Sequence, residues 1–425
     1  MKFHALLPIL LLFTLCQSCN ANLLSPRGKI EAKVTLLPGS TDLDFWFHTP
    51  GFSGVDINTV SEVFLGQKFT IAVVLYKKEF TAGEPLDLEY TIRAIAPDGK
   101  VTMIADKQPF LVPSYDGSVL LLPTVHSCSL LSNADLGKHV FKVEIRDKAT
   151  KHVTRASAKL VAKTWSWPSG ETDLGNLQKY YTTTDPSTLH QLAFSPKLKV
   201  ERWIETGKIN LPIFSLLMFG YDRHDFLLED YRERFPSCTP FERRRILFLV
   251  TLVGGEPIGD NLLTEEEKAW IAKLVQLHLP NPYQALKTTD DLDFLWGEFL
   301  ATGAYAPIRR MTDALQFGND AKLVDKFLEE KTQPETDADK AAYDRGVLFK
   351  KTVWALCKYG QDHDLAFNYL LWALKNEPLS PDIRNEISRI NAVILAKVLI
   401  NEFIIGKGDI IILINPPEDS SGQNK

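Results

Sequence analysis

The chain has 425 residues, of which 45% are hydrophobic, 24% charged and 10% aromatic, a globular composition that excludes a disordered, collagenous or polytopic membrane protein. Forty-eight Lys and Arg against fifty-three Asp and Glu give a net charge of −5, too balanced to mark nucleic acid or an anionic membrane as the partner. A length of this order predicts two domains or three, each able to bury a core.

At the amino end, Lys2 precedes the apolar run Ala5 to Leu15, long enough for the hydrophobic region of a signal peptide and too short to span a bilayer. The chain is therefore expected to be exported, to the periplasm or the outer cell surface. Small residues at Cys19 and Ala21 predict cleavage after residue 21, so that 1–21 is the leader and Asn22 the mature start. Acylation of Cys16 or Cys19 is the competing expectation and would give a lipid anchor in place of a transmembrane span. The residues ahead of each, Phe13-Thr14-Leu15 and Cys16-Gln17-Ser18, fit that pattern poorly. Cys128, Cys238 and Cys357 remain after cleavage, an odd number that allows at most one intramolecular bridge. Cys357 reads as a small core residue, and Cys238 as a core or loop thiol with no histidine near it in sequence.

Residues 22–165 carry strand signals. Phe69, Ile71, Val73 and Leu75 alternate with smaller or more polar neighbours, and Leu86, Leu88, Tyr90 and Ile92 repeat the pattern. Pro97-Asp98-Gly99 supplies a turn: proline presets φ, Asp bonds its own backbone and glycine accepts positive φ. After it a strand starts at Val101, and Phe141, Val143 and Ile145 alternate with Lys142, Glu144 and Arg146 before Ala156, Ala158 and Leu160 bring the chain back. This spacing predicts an antiparallel sandwich of about seven strands. The run Gly137 to Asp147 resembles the closing strands of bacterial immunoglobulin-like domains, a likeness that implies the fold and no activity; the paired cysteines and central tryptophan of antibody domains are missing.

Residues 166–185, opening on Ser166-Trp167-Pro168 and closing on Asp185, read as a linker that packs against a neighbour. Trp165, Trp167, Tyr180 and Tyr181 are expected to fill a domain junction, with a sugar-stacking platform as the alternative.

From 186 to 405 the period becomes helical. Thr239-Pro240-Phe241-Glu242 and Thr264-Glu265-Glu266-Glu267 are capping boxes, and Gly254-Gly255 closes the first of these helices. Leu292, Leu295, Trp296 and Phe299 form a core-facing stripe, and Pro307 is expected to open a helix. Leu323, Val324, Phe327 and Leu328 mark the next. Ser380-Pro381 begins one whose Ile383, Ile387, Ile390, Ile394 and Val398 share a side. Short connectors predict about ten helices in antiparallel hairpins, similar in kind to the tetratricopeptide and HEAT classes but without their consensus. Asp293 to Gly303, with Val353-Trp354-Ala355-Leu356, resembles helices in a group of uncharacterised exported bacterial proteins. That likeness covers about seventy residues, implies a helical domain and a bacterial source, and transfers no catalytic residues. The tail, 406–425, is expected to hold a short apolar strand, Ile410 to Ile414, and a disordered end.

The expected fold class is thus multidomain β plus α: an antiparallel immunoglobulin-like β-sandwich followed by an all-α antiparallel helical-hairpin array. Nucleophile-elbow, zinc-helix and phosphate-loop motifs do not occur in the sequence. Two clusters remain as candidate sites. Asp222, His224 and Asp225 could bind a metal or supply a base, although Arg223 stands between them and a solvated helix end is the simpler expectation. Asp290, Asp291 and Asp293 have the composition of a cation site, yet carboxylates just ahead of a helix also cap its free N–H groups. Arg243-Arg244-Arg245 spans most of a turn and is expected at the surface. No catalytic residue, metal or cofactor is expected. The function expected is binding of a protein or peptide partner on the helical array. The alternative is a carbohydrate-active enzyme with two carboxylates on a helical catalytic domain.

Overall fold

The structure, a computed structural model, describes residues 30–39, 59–77, 87–109, 124–131, 134–148, 150–170, 177–254 and 256–405, with the side chains of 30, 74, 76, 77, 124, 125 and 398–405 left aside. The expected leader with Cys16 and Cys19, the side chain of Val398 and the tail run at 410–414 lie outside what is described.

Among the described residues eight strands come first: β1 (Ile30–Pro38), β2 (Glu62–Phe64), β3 (Lys68–Lys77), β4 (Leu88–Ile95), β5 (Val101–Pro109), β6 (Thr124–Ser129), β7 (Gly137–Asp147) and β8 (Val153–Lys163). They form two sheets, ordered β1-β3-β6 and β2-β8-β7-β4-β5. Every pairing is antiparallel except that of β2 with β8. The alternation read along β7 is a burial pattern, with Phe141, Val143 and Ile145 inside. One apolar cluster joins Val34, Leu36, Phe69 and Ile71 of the first sheet to Leu88, Ile92, Phe141 and Val143 of the second. Within it the rings of Phe69 and Phe141 meet edge-on at 5.3 Å.

The helices follow: α1 (Tyr180–Thr183), α2 (Pro186–Ala193), α3 (Val200–Thr206), α4 (Leu211–Asp222), α5 (Asp225–Arg234), α6 (Pro240–Val253), α7 (Glu265–Leu274), α8 (Thr289–Thr302), α9 (Tyr305–Thr312), α10 (Gly318–Glu330), α11 (Asp337–Asp362), α12 (Asp364–Asn376) and α13 (Pro381–Ile405). Both capping boxes are formed, on α6 and α7, and a third joins Thr288 to Asp291 at the start of α8. Gly254 ends α6 with φ of +74°, a conformation that glycine adopts without a Cβ penalty. α9 starts at Tyr305, two residues before the proline expected to open it; Pro307 falls within the first turn, where its missing N–H has no intrahelical partner to lose. α8 lies at the centre, buried at every position from Phe294 to Thr302. It packs against α4 so closely that a Cβ on Gly297 would fall 2.0 Å from Ser215 Oγ and 2.2 Å from the Pro212 carbonyl oxygen.

The arginine triplet departs from its expected surface position. Residues on a helix turn by about 100° each, so three in a row must diverge. Arg244 points out to Glu266, whereas Arg243 clasps Glu267 through Nε and Nη2, each at 2.7 Å. Arg245 is only 1% exposed, hydrogen-bonded to the Leu198 carbonyl and covered by the Phe241 ring. Together with the Thr264 backbone N–H, the Arg243 pairing holds the Glu267 carboxyl down at about 2.

At the junction Trp165 packs edge-on against Phe64 of β2, at 4.8 Å, and against Phe226 of α5, at 5.8 Å. Trp167 Nε1 donates to Asp230 Oδ2 at 2.6 Å, and Tyr180 and Tyr181 are buried in the helical core. The stretch 166–185 therefore contains α1 and contributes core residues.

On α13, Ile383, Ile387, Ile390 and Ile394 are buried as a stripe, and Asn391 is buried among them. Neither amide atom of Asn391 has a hydrogen-bond partner among the described residues. Leaving such groups unsatisfied costs about 1–3 kcal/mol. The Asn391→Leu variant should therefore be more stable by about 1 kcal/mol, read as a rise in the urea midpoint without a change in slope. A lower midpoint would show that the amide is satisfied. No helix among the described residues is long and apolar enough to cross a membrane.

Candidate functional site

The first sequence cluster is pulled apart by its position at a helix corner. α4 ends at Asp222 and α5 begins at Asp225, so the residues between them leave in different directions. Asp222 is exposed. His224 is 2% exposed, with Nε2 at 3.0 Å from the Tyr180 hydroxyl, and burial, helped by Arg223, lowers its pKa to about 4. Asp225 points the other way and pairs with Lys68 of β3 at 2.7 Å, a contact between the sheet region and the helices. With both side chains half-exposed, that pair contributes at most about 1 kcal/mol.

The second cluster separates in the same manner. Asp291 accepts from the backbone N–H groups of Lys287 and Thr288, at 2.8 and 2.7 Å, and from the Thr288 hydroxyl at 3.1 Å. Asp293 pairs with Lys351 of α11 at 2.9 Å. Asp290 is exposed. Among the described residues, no group of three or more His, Cys, Asp or Glu could hold a metal ion. Cys128, Cys238 and Cys357 are all free, and burial raises each thiol above its usual pKa, the opposite of an activated nucleophile.

Two further histidines are buried against tyrosine hydroxyls. His190 Nδ1 lies 2.7 Å from Tyr231 Oη, and His363 Nδ1 lies 3.5 Å from Tyr181 Oη. Desolvation lowers both imidazoles to about 4; Arg234 adds to the effect at His190. Rings of Trp167 and Phe194 pack on His190, and those of Trp296 and Phe299 on His363. Both are core groups.

A cleft of about 560 Å³ opens where three helix ends meet. Its walls are the α3–α4 connection with Gly207, Lys208, Ile209 and Leu211, the segment His278 to Ala285 after α7, and Lys287 to Asp291 at the head of α8. Each wall has a local cause. Gly207, at φ +67°, stops α3, and Asn210 caps α4. Pro280 and Pro282 keep the segment after α7 from continuing as helix. Asn281 Oδ1 accepts from Gln284 N and closes a turn, and the Thr288 box restarts the chain as α8. The sequence marks Asp290 and Asp291 as candidates but not Lys208, His278, Asn281, Gln284 and Lys287. Their one sequence signal is proximity to helix stops and caps, which is common to most helical proteins.

No family model and no curated protein matches the chain. Among solved structures, a family 123 glycoside hydrolase from Clostridium perfringens aligns at a TM-score of 0.19 and 10% identity, over 41% of this chain and 36% of its own. The match thus spans about a third of that enzyme. An AA10 lytic polysaccharide monooxygenase from Streptomyces lividans aligns at a TM-score of 0.15 and 18% identity, over 29% of this chain and 74% of its own. Likenesses at these scores carry no argument about fold or function.

Proposed function

We propose that the protein is an exported, non-catalytic binding protein whose helical region engages a protein or peptide segment in the cleft between α3, α4, α7 and α8. In this reading residues 22–165 form an immunoglobulin-like sandwich that spaces or anchors the helices. Residues 186–405 form an array of antiparallel hairpins. The mature chain begins at Asn22, or carries a lipid on Cys16 or Cys19; the mass of the mature amino terminus decides between the two.

The observation that carries the reading is the composition of the cleft. Its rim presents the amides of Asn281 and Gln284, which match the alternating donors and acceptors of an extended peptide, beside the exposed apolar side chain of Leu279. Four residues of the two sequence clusters support it from the other side, since His224, Asp225, Asp291 and Asp293 hold the fold together through a core contact, two ion pairs and a cap.

The test is selection of random displayed peptides on the mature protein, followed by binding to an Ala285→Trp variant in which the indole occupies the cleft. Selected peptides should lose affinity by roughly tenfold or more, equivalent to about 1.4 kcal/mol, while the melting temperature of the variant is unchanged. Release of reducing sugar from a glycan by the purified protein, with no peptide enriched, would overturn the proposal in favour of the carbohydrate-active alternative.

A further inference from the structure

We infer that the outer face of the five-stranded sheet docks on an anionic lipid surface. This goes beyond the binding reading above and does not depend on the cleft. The net charge of −5 conceals how unevenly charge is distributed. On β2, β4, β7 and β8 the alternate positions that face away from the apolar cluster carry seven cations against three anions. The anions are engaged: Glu62 with Lys163, Glu89 with Arg146, and Glu144 with Arg155. Arg93, Lys138, Lys142 and Lys159 are exposed and enter no ion pair among the described residues. The described turns, the strand ends and the β5 bulge add acids and lysines in equal number apart from Asp135, which lowers the excess from four to three.

The register brings these cations together. Arg93 on β4 stands directly opposite Lys142 on β7, and Lys159 on β8 lies one row further on, opposite Val140. Strands are spaced by about 4.8 Å and alternate residues by about 7 Å, so the four charges spread over an area rather than along a line. Like charges directly opposite destabilise a sheet, and the Arg93–Lys142 pair is therefore a cost to the fold that bound anions relieve.

Aliphatic side chains share the face. Val101 and Met103 of the edge strand β5, 57% and 48% exposed, stand opposite Ile95 and Arg93. No outward position on β4, β5, β7 or β8 is aromatic, so the face lacks the stacking platform on which single-stranded nucleic acid depends. Three of the four free cations are lysines, point charges without a fork to fix a carboxylate in one geometry. Lipid head groups diffuse and gather under such charges, and exposed aliphatic side chains enter the interface between them. A folded acidic partner would instead need carboxylates held at matching positions.

The experiment uses the chain from Asn22, which begins beyond Cys16 and Cys19 and so carries no acyl group, in co-sedimentation with vesicles. Vesicles of phosphatidylcholine with a third of phosphatidylglycerol should bind it at least roughly twentyfold better than phosphatidylcholine alone, with the difference lost in about 0.5 M salt. Lys142→Gln combined with Lys159→Gln should cost roughly twentyfold, about fivefold for each charge, without lowering the melting temperature, since it relieves the Arg93–Lys142 repulsion. Lys273→Gln combined with Lys326→Gln makes the same change in net charge on exposed positions of α7 and α10 and should leave binding unchanged. Met103→Asn should cost about threefold with no change in charge.

Anionic vesicles that bind no better than neutral ones overturn the inference. Equal losses in the two double variants also overturn it, because attraction would then follow net charge alone. Soluble polyglutamate that displaces the vesicles, with Met103→Asn binding as the unaltered chain does, would replace the lipid surface by an acidic polymer and overturn it as well. None of these outcomes touches the peptide cleft.

Discussion

Acidification from pH 7 to pH 4 is expected to remove several kcal/mol of stability from the helical region, most of it above pH 4.5. The cause is three imidazoles buried among the helices, His190, His224 and His363, each lowered by burial from 6.5 to about 4. Between those values the unfolded chain takes up a proton on each histidine and the folded chain does not. The unfolded state is thus favoured progressively as pH falls through 6.5, and the trend from these groups levels off below about 4. A shift of this size is worth on the order of 3 kcal/mol per histidine, and each site adds at most about 1.4 kcal/mol per pH unit to the slope.

Glu267 adds a separate step with its own window. Its carboxyl, held at about 2 by Arg243 and the Thr264 cap, contributes stability that is present above 4.5 and lost as pH falls toward 2. Urea midpoints followed by tryptophan fluorescence at pH 7, 6, 5 and 4.5 test the histidine step. His190→Phe should remove about a third of the slope, because it deletes one of three equivalent proton sites while keeping an aromatic ring among Trp167 and Phe194. A midpoint that stays constant from pH 7 to 5 would show that the imidazoles are solvated.

The second large effect is expected at Gly297. Glycine in a helix interior is ordinarily the weaker choice, and replacing it by alanine gains up to about 1 kcal/mol from propensity. Here the sign should reverse. The new Cβ would sit at 2.0 and 2.2 Å from atoms of α4, two of them backbone or a buried hydroxyl, and α4 and α8 can accommodate it only by moving apart. That movement also strains the hydrogen bond from Ser215 Oγ to the Phe294 carbonyl, 2.7 Å long. Overpacking of this kind costs about 1–3 kcal/mol and more when backbone must shift, so Gly297→Ala should lose roughly 3 kcal/mol and Gly297→Val should fail to fold at 37 °C. Gly318→Ala is the matched control. Its Cβ would meet only the Phe349 ring, at 3.5 and 3.7 Å, and its stability should change by less than about 0.5 kcal/mol. Equal melting temperatures for Gly297→Ala and Gly318→Ala would contradict the close α4–α8 crossing.

The parts of the molecule that could be read from the sequence are those whose cause is local. Thr239 and Glu242, or Thr264 and Glu267, meet three residues apart within one turn, so the pattern and the structure carry the same information. β3 and β7 were legible because each buries one set of alternate side chains. β1 has the same alternation in Val34 and Leu36, but Leu37 beside them is also buried and blurs it. β2 is three residues long and owes its existence to parallel pairing with β8, about a hundred positions later in the chain, and β6 is largely polar.

The side chains of the two candidate clusters diverge for a related reason. Adjacent acids look like a constellation in one dimension, yet a helix corner sends Asp222, His224 and Asp225 to solvent, to the core and to Lys68, and a helix start sends Asp290, Asp291 and Asp293 to solvent, to a cap and to Lys351. The inward course of Arg243 and Arg245 had no local signal, because Glu267 and the Leu198 carbonyl that receive them are distant in sequence.

That a strand-rich region precedes a helical one, where several helices begin and end, and which side chains face their cores were all legible along the chain, because they depend on periodicity and on neighbours within a turn. The order of strands in the two sheets, the junction of Trp165 with Phe64 and Phe226, and the cleft formed by residues near 207, 280 and 290 emerge only in three dimensions. Such contacts join segments far apart along the chain, and their geometry follows from how whole helices and sheets pack, a property that no short stretch of residues carries.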